Sequence, residues 1–156
     1  MHLIYSTDND GFNLAIAKWV MKRADMNKTL HPGEYYGIGV VNNSNDIIAG
    51  ILYHDYAKMS NGGMIHLSFA SDDPRWCRRG IIGSLLSYPF IQCGCHVVIS
   101  YMKRKNVRVR KLAKGIGFRE VGVINNWPYA EDIVLYELRI EKAERWLPKQ
   151  FRQEAA

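Results

Sequence analysis

Apolar residues first recur with a helical period at Phe12, Ala15, Ile16, Trp19 and Val20, behind the candidate caps Asn9 and Asp10. They predict an amphipathic helix over 11–24 that covers a sheet. The pattern then changes. Tyr35 to Val41 and Ile47 to Tyr53 are β-rich runs separated by Asn42-Asn43-Ser44-Asn45-Asp46, whose members tolerate the left-handed turns of a hairpin. After Asn61-Gly62-Gly63, Met64 to Ala70 alternates apolar with polar until Ser71-Asp72-Asp73-Pro74 stops it. Ile82, Leu85, Leu86 and Phe90 form a helical stripe within Gly80 to Gln92, where Pro89 marks a kink or an early stop. Val97 to Tyr101 is a short β-branched strand. A helix follows from Asn106 to Lys114, then strands from Phe118 to Ile124 and Asp132 to Ile140, then a helical turn from Glu141 to Leu147.

The order is helix, three strands, helix, strand, helix, two strands. Three antiparallel strands come first, and the helix linking the Met64 strand to the Val97 strand favours a parallel βαβ crossover. The expected fold is mixed α+β: a central, mostly antiparallel sheet with one parallel crossover and helices on both faces. At 156 residues the chain suits a single domain, 1–156, and 47% apolar residues give it a core to bury, which excludes a disordered or fibrous chain. No run approaches the roughly 18 apolar residues of a membrane span, and the opening Met1-His2-Leu3-Ile4-Tyr5 lacks signal-peptide regions. A cytoplasmic protein without a membrane partner is expected.

Cys77, Cys93 and Cys95 are odd in number and lack a second ligand pair, so reduced thiols and no metal site are expected. The formal net charge is +6. Much of the excess falls in two clusters: Arg75, Arg78 and Arg79, then Lys103, Arg104, Lys105, Arg108, Arg110, Lys111 and Lys114. A phosphate-bearing partner is expected, and clustering alone leaves open a nucleic acid or a nucleotide-like cofactor.

The stretch from Pro74 to Leu86 joins a strand end to a helix start, and glycines meet positive charge there. The first amides of a helix lack internal partners and the dipole adds about half a positive charge, so backbone alone can hold an anion. Gly80 and Gly83 would let a phosphate approach, although a helix entrance with glycines for packing has the same pattern. No Ser-His-Asp order, metal pair or full Walker loop is present.

Here the sequence resembles the GNAT superfamily of acetyl-CoA-dependent N-acetyltransferases, whose cofactor loop reads Arg/Gln-x-x-Gly-x-Gly/Ala between the fourth strand and third helix. Counting back from Ser84-Leu85-Leu86 aligns Arg78 and Gly83 but puts Ile81 at the first glycine. Counting on from Pro74 aligns Gly80 and displaces Cys77 and Ile82, so a one-residue shift is implied. A second segment, Asn106 through Gly117-Phe118 to Gly122, matches the family's Asn-helix-Gly-Phe-x-x-x-Gly pattern without a gap. The resemblance covers roughly 64–140. Pro74 to Gly80, Tyr88-Pro89-Phe90, Asp132 to Tyr136 and Glu144-Arg145-Trp146-Leu147 also resemble GNAT proteins of bacteriophages and their bacterial hosts.

The resemblance implies acetyl-CoA as co-substrate, held by Phe69, Ala70, Ser71, Arg78, Arg79, Gly80, Ile81, Ile82, Gly83, Ser84 and Asn106. It implies direct attack of a primary amine on the thioester in a ternary complex without a covalent enzyme intermediate, backbone amides at the end of the Met64 strand steadying the oxyanion. His66 is the first candidate base, on the same strand face as Ser68 and Ala70. His54, Asp55 and Glu34 are alternatives. Many members carry a tyrosine as general acid where this chain has Ala113; Tyr101 and Ser100 are candidate substitutes. Trp127-Pro128-Tyr129 is a candidate aromatic wall for the acceptor or an ordinary hydrophobic loop. The competing reading is a catalytically degenerate GNAT-shaped protein that binds nucleic acid or a protein partner. A monomer or a homodimer fits either.

Overall fold

The computed structural model describes residues 1–5, 10–24, 26, 28–126 and 131–151. Among the described residues, seven strands form one sheet in the order β1-β2-β3-β4-β5-β7-β6, mostly antiparallel with β4 and β5 parallel. The fold is therefore mixed α+β with one parallel crossover, as the pattern predicts. Two compact units divide it: Met1–Tyr56 with His66–Leu85, and Ala57–Ile65 with Leu86–Ala156.

The first unit begins with a strand that the periodicity does not reveal, β1 (His2–Tyr5), paired antiparallel with β2 (Tyr35–Val41). β2 pairs in turn with β3 (Ile47–Met59), and the turn between them is held by Asn42, whose Oδ1 accepts from the Ser44 and Asp46 amides at 2.9 and 3.0 Å. Helix α1 (Asp10–Arg23) lies on this hairpin. Gly37 and Gly50 let it come close, because a Cβ on Gly37 would stand 3.0 Å from Ile16 and one on Gly50 only 2.8 Å from Val20. Ile16, Ala17 and Val20 bury themselves there with Leu52 and Ala70. Buried Asn13 fastens the helix to the strand by accepting the Gly37 amide proton at 2.7 Å and donating to the Tyr35 carbonyl at 3.1 Å. The cap candidate Asn9 lies outside the described residues.

β4 (Gly62–Ser71) continues through a 3-10 turn (Pro74–Trp76) into α2 (Arg79–Ser87). The loop thus follows the fourth strand, as the resemblance implies, but α1 is the only described helix before it, where the family has two. The helix expected over 80–92 is split: after Ser87 the chain widens into a π-helical turn (Tyr88–Gln92), closed by Cys93 N–H to Tyr88 O at 3.0 Å. Pro89 explains the break. It has no N–H for the Leu85 carbonyl. That carbonyl instead accepts the buried Tyr53 hydroxyl at 2.8 Å, fixing α2 against the β3 face opposite α1.

In the second unit β5 (Cys95–Lys103) and β6 (Arg119–Asn126) flank β7 (Glu131–Arg139), antiparallel on both sides. Helix α3 (Val107–Ile116) is capped by Asn106, whose side chain accepts from Val109 N–H at 3.4 Å, and ends at Gly117, φ 125°. A short α4 (Ile140–Ala143) and a 3-10 turn (Glu144–Trp146) follow, and Trp146 Nε1–H donates to the Ile116 carbonyl at 2.7 Å. No described helix is long and apolar enough to cross a membrane.

Candidate active site

Side chains alternate along a strand, so neighbours normally face opposite sides. On β3 that rule breaks at Asp55, a non-glycine residue in the left-handed region with φ 54°. The turn brings its carboxylate back onto the preceding ring, and Asp55 Oδ2 lies 2.5 Å from His54 Nδ1. The other ring nitrogen, Nε2, lies 2.9 Å from Ser68 Oγ on the neighbouring strand β4. His66, two residues before Ser68 on the same face, places its ring centroid 5.8 Å from that of His54. Lys28 Nζ pairs with that same oxygen, Asp55 Oδ2.

With Nδ1–H donating to Asp55, a neutral His54 accepts the Ser68 hydroxyl proton at Nε2. Carboxylate, imidazole and hydroxyl thus stand in line although their chain order is His, Asp, Ser. The chain has no Ser-His-Asp order, and the fold assembles the three side chains from β3 and β4. Burial lowers the His54 pKa, opposed by the Asp55 hydrogen bond, and burial likewise lowers that of His66. The Lys28 hydrogen bond holds Asp55 at about 2.

These shifts predict the acid limb of stability. An unfolded histidine titrates near 6.5, whereas both folded rings titrate lower, so between those values the unfolded chain binds more protons. Stability is fully present above about pH 6.5 and is lost as pH falls through that window; Asp55 titrates far below it. Melting temperatures from about pH 7.5 to about pH 5 should fall, with a shallower slope for His54→Gln. A slope unchanged by that substitution would refute the assignment.

At the other end of β4, Ala70 is buried against α1 and Phe69 packs on Trp76, ring centroids 4.7 Å apart, while Ser71 is exposed with its hydroxyl donating to the Asp73 carbonyl. The Ala70 side chain is therefore core, so a cofactor contact there would be made by backbone, whereas Phe69 is half-buried. Ile82 N–H makes the first bond of α2, to Arg78 O at 2.9 Å, so Gly80 and Ile81 sit at the helix mouth ahead of it. Arg78, Arg79 and Gly80 are exposed; Ile82 and Gly83 are buried, so their side-chain positions face the core rather than a ligand. Ser84 donates to the Gly80 carbonyl at 3.0 Å. A cavity of about 550 Å³ opens beside this mouth, lined by Arg78, Gly80, Ile81 and Ser84 with Leu3 and Tyr5 of β1. Burial raises the Tyr5 phenol pKa. The β1 contribution escapes sequence reading because four residues carry too little alternation.

In the second unit Ser100 is buried whereas Tyr101 is 56% exposed, so the aromatic is not core. Ala113 is buried in α3, Asn106 serves as the helix cap, and Glu34 is exposed outside the histidine cluster. Three carboxylates meet part of the basic cluster: Lys103 and Lys105 share Glu131, Arg104 pairs with Asp132, and Arg110 and Lys114 share Glu120. Arg110 also donates to the Tyr136 hydroxyl at 2.8 Å. The three cysteines are free thiols; burial raises Cys93 and takes Cys95 to about 11. No metal cluster occurs among the described residues. Trp127-Pro128-Tyr129 lies outside them.

No family model and no curated protein matches the chain by sequence. Solved structures match it by fold. A mutant spermidine/spermine N-acetyltransferase from Vibrio cholerae superposes with TM-score 0.73 at 12% identity, covering 92% of this chain and 96% of that one. Another mutant form of that enzyme gives 0.67 at 12%, covering 96% and 99%. A ribosomal-protein-S5-alanine acetyltransferase from Vibrio fischeri gives 0.61 at 16%, covering 89% and 74%. At such identities the likeness establishes the fold: this chain has the architecture of the GNAT acetyltransferases.

Proposed function

We propose that the chain is an N-acetyltransferase, working as one acyltransferase domain, that moves an acetyl group from acetyl-CoA to a primary amine. The observation carrying this reading is the mouth of α2. Gly80 leaves its Cβ position open, with nothing within 4 Å, and Arg78 lines the cavity beside it. Helix-mouth amides, a dipole and the Arg78 guanidinium suit the coenzyme's diphosphate, and the residues there fit that group.

The candidate proton acceptors lie on β3 and on β4, the strand that leads toward this mouth. A lysine-like amine is neutral in roughly one molecule in 2,500 at pH 7, so a base must take its proton. His66 and His54, both held toward the neutral form by burial, are suited to that task. Ala113 supplies no acid for the leaving thiolate, a loss of about 2 kcal/mol at neutral pH for a thiol of ordinary pKa. Solvent can supply that proton.

The neighbours' names supply two acceptor probes, spermidine and an alanine-ended peptide. Acetyl-CoA should bind in calorimetry, and thiol release should rise steeply with added amine, with initial-rate lines that intersect as direct attack requires. Undetectable binding to folded protein at millimolar coenzyme would refute the function.

A further inference from the structure

We propose that Ser68 is a nucleophile which, in the absence of an amine, takes an acyl group from an activated ester or thioester and passes it to water. An isolated serine hydroxyl is unreactive at neutral pH. It becomes a nucleophile when a base within hydrogen-bond reach removes its proton and a third group orients that base. Ser68 Oγ lies 2.9 Å from His54 Nε2, and His54 Nδ1 lies 2.5 Å from Asp55 Oδ2.

Three further observations set this apart from an ordinary buried hydrogen bond. Asp55 reaches the ring only through its left-handed backbone, a conformation that costs energy outside glycine and collects at working sites. His54 is 6% exposed and Ser68 only half-buried, so the base is shielded more fully than the serine. The ring is kept in its neutral, proton-accepting form by burial and by Lys28, with His66 the other titratable neighbour.

In the first step Ser68 Oγ bonds to the acyl carbon, its proton moves to His54 Nε2, and the bond from carbon to the leaving oxygen or sulfur breaks as the leaving group takes that proton. Water then attacks the acyl-serine, gives its proton to Nε2, and Ser68 recovers it as the acid departs. Ester plus water yields acid plus alcohol, or thiol for a thioester. His54 is the base; Asp55 is a positioning residue.

The inference is independent of the coenzyme site, and a small activated ester tests it separately. Incubated with p-nitrophenyl acetate at neutral pH, the full chain should release a burst of p-nitrophenolate stoichiometric with protein. Peptide mapping should find one acetyl group on Ser68. Ser68→Ala should abolish both, and His54→Gln should cut the burst rate at least about 100-fold. Asp55→Asn, which tolerates the same backbone, should lower the plateau rate and move the midpoint of the rate profile to lower pH, because Asp55 raises the His54 pKa; loss of packing alone would leave that midpoint in place. Should Ser68→Ala melt early, Ser68→Cys keeps the side chain's shape and should carry the acetyl group on sulfur, removable by hydroxylamine. Absence of acetyl-Ser68 in the folded protein, or an equal burst from Ser68→Ala, would overturn the proposal while leaving coenzyme binding unaffected.

Discussion

The paired change Arg78→Glu, Gly80→Asp is expected to weaken acetyl-CoA binding about 100-fold, with a melting temperature unchanged or slightly raised. Both residues are exposed at the start of α2, and a Cβ on Gly80 meets nothing within 4 Å. Acidic side chains in the first turn of a helix complement its dipole, and replacing glycine there restricts the unfolded chain, so the fold gains or holds. The coenzyme diphosphate would lose one guanidinium and face two carboxylates; a factor of ten for each change corresponds to about 1.4 kcal/mol. The opposite signs for folding and binding separate a site effect from collapse. Gly83, which the loop pattern alone also suggests, is the wrong place for this experiment. It is buried in α2, where a carboxylate would be desolvated without a partner. Titration calorimetry beside a thermal melt measures both quantities, and unchanged affinity would remove the helix mouth from the coenzyme site.

The reason Gly80 and Gly83 differ was not legible in the sequence. Both carry the same letter, and which faces solvent depends on the helix phase, set by a first bond from Ile82 to Arg78. What was legible follows from strong periodicity: β2 runs from Tyr35 to Val41 and α1 from Asp10 to Arg23, close to the spans that alternation and helical spacing predict. The sheet alternation also placed His66, Ser68 and Ala70 on one face. The Asp55 contact was hidden because it violates that same alternation, and only the positive φ lets two consecutive residues touch. β3 ran on to Met59 because pairing carries polar residues such as Asp55 and Lys58 into strand conformation, whereas the apolar pattern ends at Tyr53. The Arg78 loop and the Asn106 segment carry the GNAT resemblance in the sequence, whereas the cluster around His54 exists only in the folded chain.

Gly50→Val should be the more damaging change to the fold, costing about 3 kcal/mol and lowering the melting temperature by roughly 6 to 12 °C. A Cβ at this position would stand 2.8 Å from Val20 Cγ2 and 3.4 Å from the Trp19 ring. Val20 is fully buried on α1 and has no flexible end to withdraw, so the helix itself must move off the sheet. Valine then adds two more methyl groups on a stiff, β-branched side chain. The cross-strand partner supplies the control. Gly39 pairs with Gly50, yet its Cβ would meet Ile16 at 3.5 Å, an ordinary contact, so Gly39→Ala should change stability by less than about 1 kcal/mol. Valine favours strands by intrinsic preference, so a propensity account predicts that Gly50→Val stabilises, whereas close packing predicts the reverse. Since α1 covers the sheet face that carries Ala70, Ser68 and His66, displacing it should also open the histidine cluster to solvent and move the His54 pKa back toward its ordinary value. Denaturant melts of the two variants decide the first point, and an NMR titration of the His54 ring in folded Gly50→Val decides the second.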